Sequence, residues 1–231
     1  ARGDEFARRI NALTGKNGGK AEVDQSIDTL FTYAAWADKY DGAAKGAPLR
    51  GVALAMNEPL GRIAALCPDD APLLGMIQPM AAALSMGNTI TLCASQPFPL
   101  AATDFYQVLE TSDVPAGAVN ILTGPQADLA SHLGGRRNLD AVWCLSDPAV
   151  AHAVETAANS NVKRTWRGAD PSDHRTWLAA ATSIIAIPTE SKIMVEPAGA
   201  ALVFAKTSPT SANTSQPEPR TFPAWSRART T

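Results

Sequence analysis

Apolar residues recur three and four apart in the two opening stretches of the chain. In "GDEFARRINALTG", Phe6, Ile10 and Leu13 share one helical face, and Gly15 stands where a helix would end. "AEVDQSIDTLFTYAAWADKYDG" predicts a longer helix. Its apolar stripe is Val23, Ile27, Leu30, Phe31 and Ala34, and Gly42 ends it. Residues 43–50 read as a loop, and "GVALAMNEPLG" as a short strand and a turn.

From Arg62 the period changes. "RIAALCP", "TITLCAS", "AVNILTG", "DAVWCLS" and "NVKRTW" are short apolar runs with little alternation, as expected of strands covered on both faces. Between them lie helical stretches: Pro72 to Met86, Pro99 to Thr111, Ala127 to Leu133 and Pro148 to Ala158. Strand and helix alternating at this spacing predict an α/β fold, a doubly wound and mostly parallel sheet with right-handed crossovers. Ligands of such sheets bind beyond the carboxyl ends of the strands. Past Trp166 the pattern weakens. "SDHRTWLAAATSIIAIP" reads as a helix running into a strand, and "IMVEPAGAALVFAK" fits a hairpin or a helix equally. The expected division is an N-terminal helical segment (1–50), the α/β domain (51–166), a divergent segment (167–206) and an extended tail (207–231).

Composition narrows the classes. With 231 residues, 45% hydrophobic and 18% charged, the chain can bury a sizeable core. A net charge of −2 leaves no electrostatic footprint for nucleic acid. No apolar run reaches the roughly eighteen residues of a membrane span. Ser, Thr and Pro make up more than half of "TSPTSANTSQPEPRTFPAWSRARTT", a composition that cannot build its own core. Such a segment is ordered only where another surface holds it. Phe222 and Trp225 are its natural anchors, and Arg220, Arg227 and Arg229 would pair with acidic neighbours.

Candidate chemistry is sparse. Asp69 and Asp70 lie side by side before a helix, with Pro72 near its first position; a helix cap explains them better than a catalytic or metal-binding pair. Cys67, Cys93 and Cys144 show no CxxC spacing. They suggest a reducing compartment and buried small hydrophobes rather than a redox or soft-metal cluster. His132, His152 and His174 lack ligand spacing, so no metal site is expected. Gly87 and Asn88 read as a turn, as do Gly117, Asn120 and Gly124. Phe31, Tyr33, Trp36 and Tyr40 read as core, and Arg136 and Arg137 as a solvated loop.

Five stretches in order carry a resemblance: "EVDQSIDTLFTYAAWADKYDG", "NEPLGRIAALCPDDAPLLG", "LSMGNTITLCAS", "DFYQVLETSDVPAGAVNILTG" and "LDAVWCLS". Together they resemble the NAD-binding half of the aldehyde dehydrogenase superfamily, from about Gly3 to Trp166. Within it they are most similar to the divergent long-chain, two-module branch, whose second module is often degenerate. The resemblance implies a Rossmann-like domain and, in the family, NAD-dependent oxidation of aldehydes. Position by position, the implied site residues have changed. The family's Pro-Trp-Asn, whose Asn donates to the oxyanion, is Pro68, Asp69 and Asp70 here, an acceptor where a donor is needed. Its Lys-Pro-Ser-Glu, whose Lys and Glu attend the adenosine ribose, is Cys93, Ala94, Ser95 and Gln96. Its Gly-Ser before the helix that faces the pyrophosphate is Ser146 and Asp147, and an acid there disfavours phosphate. "NVKRTWRGADPSDH" lacks the Glu-Leu-Gly-Gly-Lys of the general base, and no cysteine follows Cys144 to act as nucleophile.

The resemblance with these losses implies a non-catalytic, structural subunit of a larger assembly, holding its neighbours through the tail and binding no cofactor. A supernumerary subunit of a mitochondrial respiratory or ATP-synthase complex is one concrete form. The sequence begins at Ala1 with residues that read as mid-helix, which suggests a removed targeting segment and, with the cysteine usage, the mitochondrial matrix. Two alternatives stay open: an NAD-dependent aldehyde dehydrogenase whose cysteine comes from another chain, and a small-ligand sensor without chemistry.

Overall fold

Continuous apolar runs at both faces of short strands dictate how this chain folds. A computed structural model describes residues 2–45, 51–161 and 163–190. In chain order the elements are α1 (Gly3–Thr14), α2 (Gly19–Trp36), β1 (Ala43–Lys45), β2 (Gly51–Pro59), β3 (Arg62–Leu66), α3 (Leu74–Ser85), β4 (Thr89–Cys93), α4 (Leu100–Glu110), β5 (Val119–Leu122), α5 (Gln126–Gly135), β6 (Ala141–Cys144), α6 (Pro148–Ala158), β7 (Arg164–Trp166), α7 (His174–Ala180) and β8 (Thr182–Glu190). They divide into two compact units: residues 1–40 with 58–183, and 41–57 with 184–231. Helices α1 and α2 therefore belong to the same unit as the central sheet.

That sheet has five strands in the order β5-β4-β3-β6-β7. Each pairing is parallel: Ile63 lies opposite Ile90 and Ala141, Ile90 opposite Val119, and Ala141 opposite Arg164. This is the mostly parallel, helix-covered sheet expected from the sequence. Residues 63–66 of the central strand β3 are buried on both faces. One face packs Ile63, Ala65, Met76, Ile77 and Trp143; the other packs Ala64, Leu66, Val142 and Val154. Burying a Val, Leu, Ile or Met side chain in this way stabilises the fold by roughly 1.5–3 kcal/mol. Trp143 meets Trp166 and Trp177 edge-on, with ring centroids 5.2 and 5.9 Å away. In the second unit, β1 runs antiparallel to β2, with Ala43 opposite Ala55, and β8 completes a three-stranded sheet.

Two readings of α2 are corrected. The helix ends at Trp36, not at Gly42. Its buried side is Val23, Ser26, Thr29 and Tyr33, whereas Ile27 and Phe31 face solvent, Phe31 at 72% exposure, and Ala34 is exposed as well. Small hydroxyl side chains reach this interface because their hydroxyls donate to the helix's own carbonyls: Ser26 to Glu22 and Thr29 to Gln25. Asn88, expected only as a turn residue, is buried. Its amide donates to the carbonyls of Ala83 and Ala181, and its Oδ1 accepts from the amide of Gly61.

Among the described residues, no helix is long and apolar enough to cross a membrane. Residues 191–231, with the stretch "IMVEPAGAALVFAK" and with Arg220, Phe222, Trp225, Arg227 and Arg229, lie outside the described residues.

Candidate functional site

The carboxyl ends of β3, β4 and β6 bring together the positions at which a parallel sheet of this kind meets its ligands. Asp69 leaves β3 and reaches across to the loop after β4. Its Oδ1 accepts from Ser95 Oγ at 2.8 Å and from the amide of Gln96 at 3.1 Å. Gln126, the first residue of α5, is only 4% exposed. Its side-chain amide donates to the carbonyls of Cys67 (2.8 Å) and Ala94 (3.1 Å), the residues just past the ends of β3 and β4. Its own backbone amide donates to Gln96 Oε1 at 3.3 Å. Three loops are thus tied together by their own polar groups.

Asp69 and Asp70 do not cap α3. The N-cap is Leu73, without a side-chain bond. The acid that serves those amides is Glu22 of α2, whose Oε1 accepts from Leu73 N (2.7 Å) and Leu74 N (3.1 Å). An acid at a helix start is favoured by the free amides and the dipole, so the capping chemistry is right and the residue is different. Asp70 instead is exposed beside Glu22, Lys16 and Gln25 in a cleft of about 250 Å³.

Asp147 behaves as its sequence context suggests. It is the N-cap of α6, its Oδ1 accepts from the amide of Ala149 at 2.7 Å, and Pro148 opens the helix. The preceding Ser146 has a buried hydroxyl without a hydrogen-bond partner among the described residues.

The three cysteines lie at the ends of adjacent strands, Cys93 and Cys144 in one face's core and Cys67 in the other's. Cys93 and Cys144 both lie opposite Leu66, one on each neighbouring strand, and Cys67 follows it. All three are buried and free. Burial pushes the Cys93 thiol up to about 12 and the Cys144 thiol up to about 11, with a neighbouring thiol and Glu155 respectively adding to it. Burial also raises Cys67, helped by Cys93 and Asp69. Thiols held this high are protonated and poor nucleophiles. Native protein at pH 8 should therefore leave all three unmodified by a disulfide reagent, and denaturant should release three equivalents. Rapid labelling of native protein would contradict this placement. Among the described residues, no group of three or more His, Cys, Asp and Glu could hold a metal ion.

Sequence reasoning missed Gln126 and Glu22. Neither sits at a diagnostic spacing, and their partners lie tens of residues away. The Asp-Pro pair at 147 and 148 gave a readable capping signal, because its partner amide is local.

Comparison with known proteins decides the family. The aldehyde dehydrogenase family model matches residues 1–167. The chain belongs to the aldehyde dehydrogenase family. It is 31% identical over 150 residues to cytosolic 10-formyltetrahydrofolate dehydrogenase of Mus musculus, covering 63% of this chain and 17% of that protein. It is 29% identical over 164 residues to betaine aldehyde dehydrogenase of Bacillus subtilis (strain 168), covering 70% and 34%. The fold superposes on lactaldehyde dehydrogenase from Escherichia coli with a TM-score of 0.68 at 24% identity, over 71% of this chain and 35% of that one. The chain thus spans about a sixth to a third of the length of these relatives.

Proposed function

We propose that this stretch is a non-catalytic aldehyde dehydrogenase-like unit, serving as a structural or accessory part of a larger protein assembly and holding no dinucleotide. One observation carries the reading. At the carboxyl edge of the sheet Asp69, Ser95, Gln96 and Gln126 are spent on one another and on strand-end carbonyls, and the α6 N-terminus carries its own carboxylate. A dinucleotide's phosphates would meet Asp147 where a helix start otherwise offers free amides. Gln96 stands where the family's ribose-binding Glu stands, and its oxygen is engaged by Gln126. These residues do not fit the cofactor. Asp70, at the position of the oxyanion-donating Asn, offers an acceptor that would repel developing negative charge. The buried, protonated cysteines supply no thiolate in its place.

Contact with other subunits is assigned to residues 207–231, through Phe222, Trp225 and the three arginines, in a reducing compartment such as the mitochondrial matrix. Deleting Thr207–Thr231 should release the protein from its assembly in a size-resolved purification. Undiminished co-purification would remove the tail from this role.

The family itself favours a second reading. The relatives named above are dehydrogenases, and on this reading another chain supplies the catalytic cysteine. That reading requires micromolar NAD binding by this chain.

A further inference from the structure

The amino ends of the strands hold cations that the fold leaves unpaired. Arg62 opens β3, Arg136 and Arg137 lie in the loop between α5 and β6, and Lys163 and Arg164 stand at the start of β7. Strands β3, β6 and β7 are neighbours, so Arg62 and Arg164 are two strand spacings, about 10 Å, apart along the backbone. The acid among them is Asp140, which precedes β6. Its Oδ2 accepts from the amide of Arg62 at 2.8 Å and lies 3.6 Å from that residue's Nε. Among the described residues, Arg136, Arg137, Lys163 and Arg164 have no carboxylate partner, whereas Arg2, Arg9 and Arg167 pair with Glu5, Asp104 and Glu155. Main-chain carbonyls hold two of the unpaired cations instead. Lys163 Nζ donates to Leu133 O at 3.3 Å and to Arg136 O, and Arg164 Nη1 donates to Thr182 O at 3.1 Å. A neutral carbonyl positions a cation without cancelling its charge. Five cations against one acid put +4 on this edge, and since the whole chain carries −2, everything else sums to −6.

We propose that this edge docks an acidic segment of a partner protein, a short run of Asp and Glu residues. Charge complementarity selects the occupant. Cations spaced within a screening length, about 10 Å at 0.1 M salt, act on an approaching carboxylate run together. The chain's own residues 191–231 are a poor occupant, because they hold five bases against two acids. A second copy would have to bring a different, acidic face to this one, a head-to-tail contact that propagates rather than closes. An extended polyanion or an anionic bilayer would also meet the negative remainder of the chain, while a short segment touches only the patch. Moreover, none of the exposed large apolar side chains among the described residues lies on β3, β6, β7 or in the α5–β6 loop. The edge therefore offers no platform for base stacking and no apolar wedge for a membrane. It lies opposite the strand ends that would hold a dinucleotide and does not involve residues 207–231, so it stands whether or not those two assignments hold.

Fluorescence anisotropy on the full chain tests this with a labelled peptide of about six alternating Asp and Glu residues, roughly 20 Å long when extended. The dissociation constant should lie below about 100 μM at about 0.1 M salt, and should rise at least tenfold at about 1 M, where the screening length falls to roughly 3 Å. Arg136→Glu combined with Arg137→Glu should raise it at least tenfold, and Arg137→Gln alone should raise it less, in the same direction. Arg8→Glu combined with Lys16→Glu changes the net charge equally but on and just after α1, and should leave the constant within about twofold. Circular dichroism confirms that the variants fold. No binding of the peptide, or equal losses in the two double variants, overturns the proposal. Tighter binding to phosphatidylserine vesicles or to a short DNA duplex would assign the patch to another class of partner and overturn it, as would self-association of the unmodified chain that the Arg136 and Arg137 substitutions abolish.

Discussion

Trp143→Ala should lower the unfolding free energy by about 3–5 kcal/mol in a denaturant titration. Trp143 is 1% exposed on β6, beside the central strand. It also joins the sheet to the segment beyond it, because Trp166 ends β7 and Trp177 lies on α7. These two rings are 4.7 Å apart and edge-on, so each has the other and Trp143 as neighbours. Alanine removes the most deeply buried indole of the cluster and leaves a cavity that two rigid rings cannot fill. Trp143→Phe keeps an aromatic ring and should lose markedly less. A Trp143→Ala loss below about 1 kcal/mol would mean that the cluster does not tie α7 to the sheet.

Gln126→Leu should cost about 2–4 kcal/mol, although Leu is close in size and more apolar. The loss comes from the carbonyls of Cys67 and Ala94, each buried at a strand end and each left without the amide that serves it. An orphaned buried acceptor costs roughly 1–3 kcal/mol. The variant bears directly on the closed mouth of the sheet. If stability is unchanged, those carbonyls have other partners and the loops are not held shut by Gln126.

Four of the five parallel strands were legible because each is a short apolar run between helical stretches, and β7, with the sequence Arg-Thr-Trp, was placed by the alternation itself. Asp147 was legible because capping is local and its partner amide is two residues away. The face of α2 was not. Ile27, Phe31 and Ala34 make as good an apolar stripe as Val23, Ser26, Thr29 and Tyr33, and only the neighbouring helices decide which is buried. Asp69 and Asp70 were misread as the cap, and Glu22 was missed, for a related reason. A capping amide will take any acid brought to it, and the residues near in sequence were not the ones brought near in space. The mouth of the sheet is therefore a product of long-range placement, while the altered family positions Asp70, Cys93 and Gln96 were visible from the sequence alone.

The proposed function requires that this aldehyde dehydrogenase-like unit takes up no dinucleotide. Calorimetric titration of the full chain with NAD tests it most directly. The account predicts no binding heat at micromolar NAD, and none that saturates before the millimolar range. A saturable isotherm with a dissociation constant below about 10 μM, close to −7 kcal/mol of binding free energy, would contradict it.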